Sequence, residues 1–319
     1  MNQRAGRTCR PAGPKRLPDP RVVATEIQGP EDVVADAEGR IFTGSADGTL
    51  WRLTLSDTGV GRAVAVARTG GRPLGLEPTP DGRLLVCDAQ RGLLRVDPQD
   101  GTVGVLANKL GGESLRFCSN VAAAADGTIY FSVSSRRYGL EDWMGDILEH
   151  TGTGQLLRLR PGGEPEVLLD GLQFANGVAL AEDESFVVVA ENGAYRLCRL
   201  RLTGPQAGRY DRLVSDLPGF PDNISRGRDG VFWVALAGPR ERGIEVLHRT
   251  TPKVRKAVWH GVKPFPVRVM ALRSDGALVC DLRRAGSPYR MVTSVCRSDA
   301  FLIMGSLTER GVAVCEVDG

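Results

Sequence analysis

The stretch Pro80-Asp81-Gly82-Arg83-Leu84-Leu85-Val86 joins an Asp-Gly turn directly to a strand, and the same unit returns along the chain. Equivalent turns end on Gly39, Gly127, Gly230 and Gly276, with degenerate copies at Asp183-Glu184 and Asp299-Ala300. A second class of turn, at 57–61, 97–101, 161–163 and 204–208, falls between them. Each unit is thus two hairpins, or four short strands. Gly276 stands as far before Ala300 as a second-class turn should, delayed by an insertion after Gly238, and this leaves six units. Four-stranded antiparallel units repeated at about 45 residues are what a radial β-propeller requires. The expectation is an all-β, six-bladed β-propeller with blades at 29–68, 73–107, 118–169, 175–216, 221–283 and 291–319. The last unit has too few strands, whereas 21–27 is a strand without a unit. Pairing the two closes the ring and removes two exposed edges.

Composition agrees with this reading. The 319 residues are 42% hydrophobic and 25% charged, with 40 glycines and 19 prolines, which favours many turns over long helices. No apolar run approaches the roughly 20 residues of a membrane helix, and the first residues have no apolar signal core. A cytoplasmic protein with no membrane partner is expected. Seven cysteines without metal-knuckle spacing fit a reducing compartment. Residues 1–20 hold Arg4, Arg7, Arg10, Lys15 and Arg16 against Asp19, and read as a flexible basic arm ahead of a propeller domain at 21–319. The arm has no aromatic to stack on a base, and no nucleic-acid partner is expected.

Two insertions interrupt the repeat. In residues 138–150, Trp143, Ile147 and Leu148 stand at helical spacing; the second insertion spans about 239–266. Both are candidate lids over one mouth of the channel.

In a propeller the first strand of each blade lines the channel, so residues at one distance before each first-class turn form a ring. Seven or eight residues before the turns stand Glu31, Leu74, Asn120, Asn176, Asp222 and Val292 or Thr293, with Asn223 after Asp222. Asn176-Gly177 alone reads as a turn pair and Glu31 after Pro30 as a loop residue; the common register is what joins them. Two carboxylates in a narrow channel need a counter-charge, and carboxylate plus amide oxygen is a calcium-type donor set. One divalent cation, Ca2+, is therefore expected on Glu31, Asn120, Asn176, Asp222 and Asn223. Cys118 reads as a small buried hydrophobe. Of the three histidines, His150 on the first insertion is the catalytic candidate.

At these residues the chain resembles the strictosidine-synthase-like proteins, a group related to the paraoxonases and to the gluconolactonase/regucalcin family. The likeness is carried by Gly29-Pro30-Glu31, Arg72-Pro73-Leu74-Gly75-Leu76, Phe174-Ala175-Asn176-Gly177-Val178, Ala190-Glu191-Asn192 and Pro221-Asp222-Asn223-Ile224. It runs from about residue 25 to the end and implies a six-bladed propeller. It also implies that Glu31, Asn120, Asn176, Asp222 and Asn223 are similar to the paraoxonase ligands of a catalytic calcium. Three positions depart from the pattern. Leu74 stands where paraoxonases have a histidine, Val121 replaces a ligand of their second calcium although Asp32 is kept, and Thr293, beside Ser294, stands where plant strictosidine synthases have their catalytic glutamate.

The function expected is metal-dependent hydrolysis of a small-molecule lactone or related ester, with Asp222 orienting or deprotonating water. Glu191 is a further base candidate, equally readable as a rim salt bridge. Two alternatives stay open. One is a condensation or cyclisation in natural-product synthesis, with the ion activating a carbonyl and Thr293 or Ser294 positioning an amine or hydroxyl; the other is a propeller that only binds a partner.

Overall fold

The turns that define the repeat are built as their sequence demands. Gly82 and Gly127 sit at φ of 81° and 84°, in the left-handed region where a side chain is strained, and each closes a tight link between the first and second strand of a blade. In blade four the same place is held by Glu184 at φ 55°. The computed structural model describes residues 14–54, 61–226, 230–248, 266–298 and 300–317.

Six antiparallel sheets follow one another in chain order. Blade two shows the pattern, with strands Pro73–Pro78, Leu84–Asp88, Gly92–Val96 and Val103–Ala107 each paired to the next. Blades one, three, four and five repeat it over 33–68, 118–172, 175–214 and 219–284. The sixth blade has three strands of its own, Val292–Ser298, Phe301–Ser306 and Arg310–Glu316, and takes its fourth from Arg21–Gln28. That strand is antiparallel to Arg310–Glu316, with Arg21 opposite Val314 and Val23 opposite Val312. The fold is therefore a six-bladed β-propeller closed by its N-terminal strand.

The basic leader differs from expectation where it is described. Lys15–Arg16 is a short strand parallel to Leu278–Arg284 at the outer edge of blade five, Leu17 is fully buried, and Asp19 pairs with Arg284. Leu17 supplies the reason, since it fills an apolar gap against Leu282 and Tyr289 between blades five and six. Residues 1–13 lie outside the described residues.

Alternation along each strand sends apolar side chains into the spaces between blades, so the core is a ring of wedges. Phe42 and Leu50 of blade one meet Leu76, Leu84 and Val86 of blade two, and the other junctions repeat this arrangement. The first strands of neighbouring blades pack against one another around the axis. The first insertion contains the helix Trp143–Glu149, whose Ile147 and Leu148 are buried. The second contains the short helix Arg242–Leu247; its residues 249–265 lie outside the described residues. The two insertions touch. His248 Nε2 lies 2.7 Å from the Ile147 carbonyl, and the His150 and His248 rings pack 4.3 Å apart.

Candidate active site

The innermost strands of blades two to five share one irregularity. Their pairing slips between Pro73 and Leu76, Cys118 and Val121, Ala175 and Val178, and Pro221 and Ile224. A bulge breaks the strict alternation of a strand, so consecutive residues can both serve the channel side. Ser119 and Asn120, and likewise Asp222 and Asn223, do so. Close approach of the blades completes the arrangement: a Cβ on Gly177 would lie 2.5 Å from the Asp222 carbonyl oxygen, so only glycine admits this spacing beside Asn176.

Glu31, Asn120, Asn176, Asp222 and Asn223 meet in one buried network. Asn223 Nδ2 donates to Glu31 Oε1 at 3.1 Å, Asn120 Nδ2 donates to Asn223 Oδ1 at 3.1 Å, and Asn176 Nδ2 donates to Asp222 Oδ1 at 2.6 Å. Ser119 Oγ donates to Asn176 Oδ1 at 3.0 Å, and Thr293 Oγ1 to the Glu31 carbonyl at 2.6 Å. Asp32 joins from the next position. It accepts from the Val33 and Leu76 amides, both at 2.9 Å, with Asn120 Nδ2 at 3.4 Å.

This network separates two cavities. Above it, a cavity of about 640 Å³ has Glu31, Ser119, Asn176, Asp222 and Thr293 on its floor and walls of Phe117, Phe174, Phe220, Trp143, Met144 and other apolar residues. Both insertions contribute, through Leu140 to Leu148 on one side and Glu241 to Ile244 on the other. Below it, a cavity of about 330 Å³ is reached by Asp32, Glu77, Asn120 and Arg226.

Burial dominates the electrostatics. It pushes Glu31 up to about 7, against the opposing pull of Arg72 and the Asn223 hydrogen bond. Burial likewise holds Asp32 and Asp222 well above the usual carboxylate range, and the charge of Glu31 raises both further. Three carboxyl groups along one channel thus disfavour their charged forms, a cost that a bound cation would relieve. Glu31 Oε2 is buried and has no hydrogen-bond partner. Among the described residues no three His, Cys, Asp or Glu side chains form a metal cluster, so the donors would be carboxylates mixed with amides, which is hard-cation chemistry. Glu31, Asp222, Asn176 and Asn223 fit such an ion. Asn120 lines the lower cavity instead, with its Oδ1 accepting from the Val178 amide at 2.8 Å and its Nδ2 donating to Asn223.

Two candidates from the sequence lie elsewhere. Glu191 is fully buried, but Arg196, Cys198, Tyr210 and the Gln173 amide donate five hydrogen bonds to its two oxygens, at 2.7 to 3.0 Å. It does not line the cavity and has no lone pair left for a proton; the salt-bridge reading holds and the base reading is corrected. His150, left-handed at φ 55° at the helix end, packs on His248 between the insertions and is also absent from the cavity wall, so its role as a base is withdrawn. Thr293 does line the cavity, although its hydroxyl proton is engaged by the Glu31 carbonyl. Cys118 is buried, with its thiol pushed up to about 12, as suits a core residue. The sequence gives no role to Ser119, and Arg72 stands there only as part of a motif. The consecutive polar pair Ser119-Asn120 within an apolar strand was the available signal for the first.

Fold and site together define a six-bladed propeller with a carboxylate and amide floor at the inner end of an apolar mouth. Family profiles match the chain in two places: strictosidine synthase over residues 120–205, and the N-terminal part of strictosidine synthase-like proteins over residues 15–53. The adipocyte plasma membrane-associated protein of Rattus norvegicus is 37% identical over 93% of this chain and 85% of its own length. Strictosidine synthase-like protein 10 of Arabidopsis thaliana is 32% identical over 91% and 86%. The chain belongs to the strictosidine synthase-like family. Among solved structures it is similar to a gluconolactonase from Xanthomonas campestris, with a TM-score of 0.65, 17% identity and coverage of 97% and 99%. It is also similar to the calcium-binding regucalcin from Agrobacterium tumefaciens, with a TM-score of 0.64, 16% identity and coverage of 97% of both chains. Identities this low speak for the fold alone. Among the described residues no helix is long and apolar enough to cross a membrane.

Proposed function

We propose that this protein hydrolyses a lactone or related carboxylic ester in a reaction that depends on one divalent cation, calcium by its donor set. The observation that carries the reading is the pairing of two buried carboxylates, Glu31 and Asp222, with an otherwise apolar cavity directly above them. Glu31 and Asp222, with the amide oxygens of Asn176 and Asn223, would hold the ion. Bound there, it would supply polarisation of the ester carbonyl and a positive field for the oxyanion.

The chain's own residues do the rest. The aromatic and aliphatic walls take the acyl or alcohol part of the substrate and exclude bulk water, which strengthens every charge on the floor. Asn176 fixes one oxygen of Asp222 at 2.6 Å, which leaves the other to orient a water molecule and accept its proton. Thr293, bonded to the Glu31 carbonyl, keeps that segment in place. Calcium binding by a regucalcin and lactone hydrolysis by a gluconolactonase on the same fold support this reading. A condensation of the strictosidine-synthase type is less well supported, because Thr293 stands at the position of the base and cannot take a proton from an amine as a carboxylate does.

A panel of aliphatic and aromatic lactones and phenyl esters, assayed with calcium and after chelation, tests the proposal. Turnover should require the cation and disappear in Asp222→Asn. Cation binding without turnover of any member would refute the hydrolase reading. Trp143→Ala should alter which esters are accepted while leaving cation affinity unchanged.

A further inference from the structure

Arg72 is a buried cation bonded to the segment that carries Glu31, and its situation is unusual. It is only 6% exposed, and among the described residues no carboxylate lies within ion-pair distance of its guanidinium. Its Nη2 donates to the Gly29 carbonyl at 2.8 Å, two residues before Glu31, and its Nη1 is buried without a hydrogen-bond partner. Gly29 is at φ 60°, and a Cβ there would lie 2.7 Å from the Leu307 carbonyl oxygen and 3.2 Å from Nη2, so this turn is packed tightly between blade six and the arginine. Two carboxylate oxygens share its condition: Glu31 Oε2 and Asp88 Oδ2 are buried and unpartnered. Asp88 is otherwise tied to the same segment, since its Oδ1 accepts from the Arg72 amide at 3.1 Å. Of the acidic groups, Glu31 raises the affinity of Arg72 for its proton most, and Arg72 in turn pulls Glu31 down.

A buried guanidinium left short of a partner, and bonded to the backbone two residues from a buried carboxylate that is also short of one, is costly unless something uses the gap. We infer that Arg72 is a positioning residue that acts as a resident counter-charge for Glu31, competing with the divalent cation for it and so setting the affinity of the site. The inference rests on the metal-dependent reading above. Without the ion, the positive charge of Arg72 offsets that of Glu31; with the ion, the two cations repel, and Arg72 weakens binding. A cation held loosely by this device would be taken up only above a set free concentration, which makes the site responsive to its supply.

The test is calcium titration by calorimetry, with melting curves before and after chelation, on the wild type, Arg72→Gln, Arg72→Met and Arg72→Lys. Removing the charge should tighten calcium binding about tenfold or more, the size expected when one buried unit charge stops repelling a divalent ion. The rise in melting temperature on adding calcium should grow in the same two variants. Arg72→Lys, which keeps the charge, should bind as the wild type does. Equal affinity in all four proteins, weaker binding in the neutral variants, or a lysine variant that behaves like the neutral ones would each overturn the inference. Should Arg72→Met fail to fold, Arg72→Gln, which keeps a donor for the Gly29 carbonyl, decides. A wild type that binds no calcium would instead overturn the proposed function and this inference with it, whereas binding without ester turnover would leave the role of Arg72 standing.

Discussion

Glu31 and Glu191 are both buried glutamates, and their surroundings are opposite. Glu191 has an arginine, a tyrosine, a thiol and a backbone amide on its two oxygens. Burial alone would raise its pKa, but those bonds outweigh it and hold the carboxyl below its ordinary 4.5. Glu31 has one amide on one oxygen and nothing on the other, and is pushed up to about 7. The first arrangement is complete without any ligand. The second becomes complete only when another positive group arrives, and that difference separates a strut from a site.

The largest expected effect tests the strut. Arg196→Met leaves Glu191 charged and buried without its bidentate partner, and should cost about 3–5 kcal/mol in urea unfolding. Calcium affinity per folded molecule should stay as it was; a matching loss of affinity would erase the distinction between the two regions. Next in consequence, Glu31→Gln should leave the chelated protein within about 1 kcal/mol of the wild type, because relief of a desolvated carboxyl is offset by loss of the charge that faces buried Arg72. The same variant should lose the calcium-induced rise in melting temperature, and a rise that survives would show Glu31 to be no ligand. Thr293→Val removes the bond to the Glu31 carbonyl and should cost about 1 kcal/mol with a modest fall in turnover.

The smallest effect is one of slope. Glu191 has a folded pKa below 4.5, so the folded state binds fewer protons than the unfolded one, and its stabilisation is lost as pH falls through that pKa. Glu77, on the lower cavity, is pushed up to about 7 by burial, so the folded state binds more protons and stability declines as pH rises from 4.5 to 7. In urea titrations from pH 3 to 8, Glu191→Gln should flatten the acid limb and Glu77→Gln the neutral one. The opposite assignment would show that local bonding does not govern these groups.

The architecture could be read from the chain because a propeller is a repetition of local events. Turn glycines such as Gly82 and Gly127 mark it in sequence, and the incomplete sixth unit with its orphan strand at 21–27 forces the closure that is found. The ring residues were legible for the same reason, as a shared distance from those turns. What the register could not reveal was side-chain direction. Asn120 is fixed by the amide of Val178, and Arg72 by a carbonyl 43 residues away, contacts that cross between blades and leave no local trace. The Glu191 strut was closer to hand: Arg196 lies directly opposite Glu191 in the pairing of two adjacent strands, an opposite-charge cross-strand pair visible once the hairpin is drawn.

The closure of the ring also fixes how the molecule would respond to tension. Arg21, where the closing strand begins, lies opposite Val314, near the end of the strand Arg310–Glu316. The two ends of the chain therefore leave the sixth blade at the same side, and a pull on both loads its hydrogen bonds one at a time, as in opening a zipper. Among the described residues, the N-terminal side ahead of that seam is held by the attachment of Lys15–Arg16 and buried Leu17 to blade five. Forced unfolding is governed by the rate of opening, so under such a pull opening should begin at this seam, where the blade is assembled from two distant parts of the chain.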